Sequence, residues 1–310
     1  MGPVVVTGAA GFVGAAIVDA LVRQGASVAA LVHPRTDAWR LAPVEAQIDL
    51  ARLDLNDVPM LATVLRRHGP KVVIHAAARG GHPVDRVSRE AGWRDTVHAT
   101  IALWECLEGL DVERVVHIAS SQECAPSDRP VPEDVPLGPV SARGVHKVAA
   151  LLTARQRSEE LGLPAVFVRV FSAYGQREQE HRLVPTLLRC LRSGAPFRLT
   201  RDVARRDFVH IDDVAEACVL AAGHPSAVGE TLNVGTGVET SNDELVALAR
   251  DVTGRPLVLD ERPFEPRPGD RAHSVADVTK TARLLGWRAT TALADGLART
   301  YALAEPTVVG

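Results

Sequence analysis

Short runs of β-branched and small apolar residues alternate, along the first half of the chain, with longer stretches whose apolar positions recur at helical spacing. Residues 3–7 form the first such run, Pro-Val-Val-Val-Thr, and residues 15–22 continue as an apolar-periodic helix. Gly25 ends that helix before a second β-run at 27–32. The same pattern predicts strands at 48–53, 71–75, 114–119 and 165–170, with helices at 57–68, about 91–108 and 141–161 between them. Alternation of this kind predicts an α/β fold, a doubly wound parallel sheet with right-handed crossovers. The Pro-rich stretch 125–139 reads as a loop. The last third mixes short strands with helices expected at 183–192, 212–222, 242–252 and 291–301. It is expected to form a smaller C-terminal substrate-binding lobe over about 172–205 and 235–310, leaving 1–171 and about 206–234 to the sheet domain.

Between the first strand and the first helix stand Gly8, Gly11 and Gly14. Gly8 lets the backbone turn, Gly11 lets it approach a pyrophosphate, and Gly14 lets the helix pack closely on the strand. With Ala10, Phe12 and Val13 they make the turn expected to hold a dinucleotide at the helix N-terminus, so the sheet is expected to be of the Rossmann type and the cofactor a nicotinamide. NAD sites usually place a carboxylate at the end of the second strand. Here His33-Pro34-Arg35 stands there, and His33 and Arg35 would attract a 2′-phosphate. NADP(H) is therefore the expected cofactor, with NAD(H) the alternative that nearby Asp37 keeps open.

Composition narrows the class further. At 310 residues and 46% hydrophobic, the chain can bury a large core, and a net charge of -3 argues against a nucleic-acid binder. No 18-residue apolar run is available to span a membrane, and the first strand begins too early for a cleaved leader. Cys106, Cys124, Cys190 and Cys218 lie far apart, which suggests reduced cytoplasmic thiols and no metal site.

Further blocks follow the glycine turn in order. They are Asp54-Leu55 after the third strand, Ala76-Ala77-Ala78 after the fourth, Ala119-Ser120-Ser121 after the fifth, and Lys147 in the next helix. Beyond them come the run from Arg206 to Val214, Leu232 to Gly237, Arg267 to Asp270, and Leu285-Gly286-Trp287. So ordered, the chain resembles the extended short-chain dehydrogenase/reductases of the NAD-dependent epimerase/dehydratase family. The resemblance implies cofactor contacts at Asp54, Leu55, Ala76, Ala77, Ala78 and Lys147, and a substrate oxygen polarised by Ser121. It implies that Arg206 and Arg267 match positions gripping sugar-nucleotide phosphates. It also implies a Tyr four residues before the Lys, where this chain has Arg143. Thr96 and Ser172 replace Asn residues that the family often has.

An arginine is no general acid near neutral pH, but it can stabilise an oxyanion. Arg143 and Lys147 at i and i+4 form a like-charged pair that asks for an anion, and Glu123 is the expected partner. Dehydratases of the family place a catalytic Glu at that position, so Glu123 also reads as a base. His82, in the loop after the fourth strand, is a further candidate for acid/base work. His146 is rotated about 100° from Lys147 and faces elsewhere, while His75 and His117 end strands as packing or capping residues. Without the Tyr, the expected activity is reduction of an activated, aromatic polyketide-like carbonyl in antibiotic biosynthesis, the substrate assisting its own protonation. Angucycline ketoreductases, which lack this Tyr, set the precedent. A nucleotide-sugar epimerase or dehydratase is the alternative, and a catalytically silent NADP-binding protein the third. A homodimer through the helix at about 91–108 would use Trp93, Ile101 and Trp104.

Overall fold

A computed structural model describes residues 2–81, 85–200, 204–264 and 272–303. The chain opens with β1 (Val4–Thr7), α1 (Phe12–Arg23), β2 (Val28–Val32), β3 (Asp49–Arg52), α2 (Val58–His68) and β4 (Val72–His75). There follow α3 (Arg86–Gly92), α4 (Ala99–Leu107), β5 (Arg114–Ser120), α5 (Ala142–Leu161) and β6 (Ala165–Val170). Next come β7 (Ser172–Tyr174), α6 (Leu183–Ser193), β8 (Arg205–Arg206), β9 (Phe208–His210), α7 (Ile211–Gly223) and β10 (Thr231–Val234). The last described elements are β11 (Thr240–Ser241), α8 (Asn242–Thr253), β12 (His273–Ser274), α9 (Thr279–Leu285) and α10 (Leu293–Leu303).

Seven of these strands form one sheet in the order β10-β6-β5-β4-β1-β2-β3, every neighbouring pair parallel. The central strands β1, β4 and β6 are buried along their whole length, because helices cover both faces and leave no side for polar residues. One face packs on α1 and α7 through Ile17, Leu21, Val214 and Cys218. The other packs on α2, α4 and α5 through Leu61, Leu103, Trp104 and Leu151. β1 pairs with β2 on one side and β4 on the other, so the winding reverses there and opens a crevice at the carboxyl ends of the strands. A separate apolar cluster joins α6, α8 and α10 through Leu187, Leu245 and Leu297.

Three local features depart from the sequence pattern. The helix expected at about 91–108 is broken into α3 and α4 by a π-helical turn over Trp93–His98. Thr96 in that turn accepts the Arg79 backbone N–H at 3.0 Å, a tie that periodicity does not report. A 3₁₀ helix over Trp39–Gln47, unforeseen, precedes the edge strand β3. Trp104, expected on a stripe facing a second subunit, is 0% exposed inside its own chain because α4 packs against α2 and α5. Among the described residues no helix is long and apolar enough to cross a membrane, and no group of His, Cys, Asp or Glu could hold a metal ion.

Candidate functional site

The crevice is built by close backbone approach. Gly8 sits at φ 64°, and a Cβ there would lie 2.6 Å from the Ala77 backbone, so β1 and the chain leaving β4 touch where only glycine fits. Gly14 allows α1 to press on that turn, since its Cβ would fall 2.3 Å from the Gly8 carbonyl oxygen. α1 begins after Gly11 with no side-chain cap and no acidic residue in its first turn. Its leading N–H groups and positive dipole end are therefore suited to an anion such as a pyrophosphate. Gly14→Ala is expected to cost about 1–3 kcal/mol through overpacking and to weaken dinucleotide binding in a fluorescence titration. Unchanged binding would show that this turn does not hold the cofactor.

The rim of the crevice is less cationic than its sequence. His33 Nε2 lies 3.6 Å from an Asp54 carboxylate oxygen, while Arg35 is exposed. Burial pushes the Asp54 carboxyl up, but hydrogen bonds from Asn56 and the neighbouring His33 outweigh it and hold the group below its ordinary value. A carboxylate thus stands beside the residue expected to attract a 2′-phosphate, and the NADP preference read from His33 and Arg35 loses its basis. Deeper in, His75 bonds Thr7 at 2.7 Å and Thr100 at 2.9 Å. Burial, aided by the Lys147 charge, pushes its pKa down to about 3, so it is a neutral packing residue.

The reactive face is set by β5 and α5. β5 ends in a 3₁₀ turn, Ser121–Glu123, and Ser141 caps α5 by accepting the Gly144 N–H at 3.1 Å. A Cβ on Gly144 would lie 2.6 Å from the Gln122 carbonyl oxygen, so the first turn of α5 rests directly on the turn carrying Ser121. That contact brings Ser121, Arg143 and Lys147 to one region. Lys147 is buried and donates from Nζ to the Ile118 carbonyl oxygen at 2.5 Å. Burial lowers its pKa to about 8; Glu123 opposes that shift and Arg143 adds to it. The Arg143 guanidinium is pushed down to about 10 by burial and by Arg182.

Glu123 does not pair with Arg143. Its Oε1 accepts the Ser120 N–H at 2.9 Å in a capping box, which turns the carboxylate back under the sheet, where Oε2 faces Arg169 Nε at 3.8 Å. Both side chains are sealed from solvent, at 0% and 1% exposure. Burial pushes its carboxyl up to about 7 against the pull of Lys147 and Arg169. Arg169 also donates to the Glu133 carbonyl oxygen at 3.3 Å. The sequence reading missed this residue, although a lone Arg in the run Ala-Val-Phe-Val-Arg-Val was its signal.

The remaining candidates are dispersed. His146 packs on Trp93 with ring centroids 5.2 Å apart, and His117 lies against His75 and Phe167. Arg206 donates to Asn242 at 3.1 Å on β8. That strand is anchored by the buried carboxylate of Asp207, which accepts the Thr236, Gly237 and Ala276 backbone N–H groups. His82 and the block from Arg267 to Asp270 lie outside the described residues.

Known proteins resemble this chain over nearly its whole length. Residues 4–235 match the NAD dependent epimerase/dehydratase family. A UDP-glucose 4-epimerase from Mycolicibacterium smegmatis is 33% identical over 307 residues, covering 95% of this chain and 96% of its own. The structure of MoeE5 in complex with UDP-glucuronic acid and NAD superposes with a TM-score of 0.86 at 32% identity, covering 97% of this chain and 98% of that one. The dTDP-glucose 4,6-dehydratase DesIV from Streptomyces venezuelae, with NAD bound, gives 0.88 at 28% identity, covering 97% and 96%. These relatives overturn the expected aromatic ketoreductase, and nothing in them supports a likeness to angucycline enzymes. The expectation gave one position, Arg143, more weight than the agreement of both halves of the chain.

Proposed function

The chain belongs to the NAD-dependent epimerase/dehydratase family, and from that premise we propose that it is an NAD-dependent nucleotide-sugar enzyme of the 4-epimerase type. The observation that carries this reading is the 33% identity to a UDP-glucose 4-epimerase across 95% of the chain, substrate half included. NAD is favoured over NADP by the Asp54 carboxylate beside His33 and by the NAD named in the MoeE5 and DesIV complexes. The glycine turn, the α1 N-terminus and Lys147 would hold the dinucleotide, between the sheet domain of 1–171 and about 206–234 and a lobe of about 172–205 and 235–310.

When bound, the nicotinamide supplies a hydride acceptor and donor for the sugar's C4. This chain must supply a place for the C4 hydroxyl proton. Ser121 positions the oxygen, and Lys147, with its pKa lowered to about 8, takes that proton as neutral amine and returns it as ammonium. Arg143 is protonated throughout and supports the change by disfavouring a second positive charge one helical turn away. Titrations test the cofactor assignment: NAD is expected to bind about tenfold tighter than NADP, roughly 1.4 kcal/mol, and tighter NADP binding would reverse it. Adding UDP-glucose or UDP-glucuronate to the NAD-loaded protein should raise absorbance at 340 nm. No change and no binding with UDP- and dTDP-sugars would remove the proposal.

A further inference from the structure

Residues 175–182, which join β7 to α6, are tied to the glycine turn by two arginines that hold each other's main chain. Arg177 Nη1 donates to the Arg40 carbonyl oxygen at 2.5 Å, and Arg40 Nε returns a bond to the Arg177 carbonyl oxygen at 2.7 Å. A second arm of Arg40 reaches the turn itself, where Nη1 donates to the Ala10 carbonyl oxygen at 3.3 Å. Arg40 is buried, and its guanidinium carbon lies 4.5 Å from the centre of the Trp39 ring, which fixes it on another side. A second arm of Arg177 pairs with Asp19 on α1, and among the described residues no other cation pairs with that carboxylate. The Asp19 Oδ1 oxygen is buried without a hydrogen-bond partner, so Asp19 without Arg177 would be a largely buried charge left alone. Arg177 stands at φ 62°, the one positive value of a non-glycine residue among the described residues. A side chain as large as arginine avoids that region, so its contacts hold the loop in a shape the backbone resists.

We infer that Arg177, acting through Arg40, is a positioning residue for the dinucleotide: it fixes the peptide that leads into α1 and so sets how tightly NAD is held. The inference rests on the reading of the glycine turn as the cofactor site. The Ala10–Gly11 peptide is pinned at both ends, its carbonyl by Arg40 and its N–H by the Gly8 carbonyl oxygen at 2.9 Å. Those two groups point in opposite directions across a planar trans unit, so together they set its plane. Phe12, the first residue of α1, follows at once, and that plane directs the leading N–H groups of the helix. Released from Arg40, the Ala10 carbonyl is free to turn its partial negative charge toward the phosphates and to take those N–H groups out of line with them. Arg177 holds Arg40 in place from the far side, by its carbonyl oxygen and by its guanidinium, and Asp19 holds Arg177. Neither arginine has to touch the cofactor for this effect.

Isothermal titration of the full chain with NAD tests this through a double-mutant cycle. Arg177→Gly removes the guanidinium while suiting the left-handed backbone, and Arg40→Met keeps a stem over Trp39 while removing the N–H groups. Each is expected to raise the Kd for NAD by at least about tenfold. The double variant should raise it no further, because either change opens the same latch. Arg177→Lys guards against misfolding, since it keeps a cation beside Asp19; lacking the fork that also reaches the Arg40 carbonyl, it should still bind NAD at least about threefold more weakly. Circular dichroism checks each fold. Unchanged NAD affinity in the folded Arg177 variants overturns the inference and leaves the dinucleotide reading standing, because the arginines would then only brace the chain. Losses that multiply in the double variant also overturn it, by showing that the two residues act separately. Failure of the wild type to bind NAD overturns the dinucleotide reading and the inference with it.

Discussion

Lys147→Met is expected to lower kcat on a nucleotide sugar by about 10³-fold, within the range by which positioned general bases act, with a much smaller change in substrate affinity. The amine is buried, bonded to the Ile118 carbonyl oxygen, and held near 8 first by burial, with Arg143 adding to the shift against Glu123. Arg143 cannot replace it, since its guanidinium titrates near 10 even in this site. The base must be neutral to accept a proton, so kcat should rise with pH through about 8 and then level off. A Lys147→Arg variant keeps the charge but loses the titration, and should be as slow as the Met variant at every pH. A kcat within tenfold of wild type in Lys147→Met would move the proton elsewhere.

Arg169→Leu is expected to cost up to about 3 kcal/mol of stability at pH 8, less than the full penalty for a buried charge left with no partner, because Lys147 still faces Glu123. The change leaves the Glu123 carboxylate, at 0% exposure, with one cation fewer beside Lys147, and takes a donor from the Glu133 carbonyl oxygen. The pH dependence has a definite sign. Because the Glu123 carboxyl is raised to about 7 in the folded chain, from 4.5, it carries its proton there below neutrality. The missing cation then matters less, and the difference from wild type should be smaller at pH 5 than at pH 8. Urea denaturation at the two values measures it. Equal losses at both would mean that the arginine acts through packing and not through its charge.

Where local pattern was enough, the sequence was a good guide. The run Val4–Thr7, the glycines that follow and the periodic helix each depend on residues a few positions apart, and together they locate the crevice. What escaped depends on distance along the chain. Glu123, in the turn after β5, and Arg169, on the adjacent strand β6, meet although 46 positions separate them, so Arg143, closer in sequence, looked like the partner instead. Trp104 looked like a surface residue because helical periodicity marks an apolar face without saying which neighbour covers it. The π turn shifts the register of the helix at Trp93–His98 with no change in composition to announce it. The activity was misjudged for a different reason: the expectation leaned on the single position Arg143, whereas similarity to UDP-glucose 4-epimerases runs through 95% of the chain.

Proton NMR of a nucleotide sugar incubated with the enzyme and NAD in deuterated water tests the central claim most directly. UDP-glucuronate and UDP-glucose are followed in parallel. A C4 epimer should appear with the hydrogen at C4 still protium, because the hydride leaves and returns within one site, while solvent exchanges only with the proton of the C4 hydroxyl. Deuterium at C4, or both sugars unchanged after prolonged incubation with NAD, would contradict the assignment.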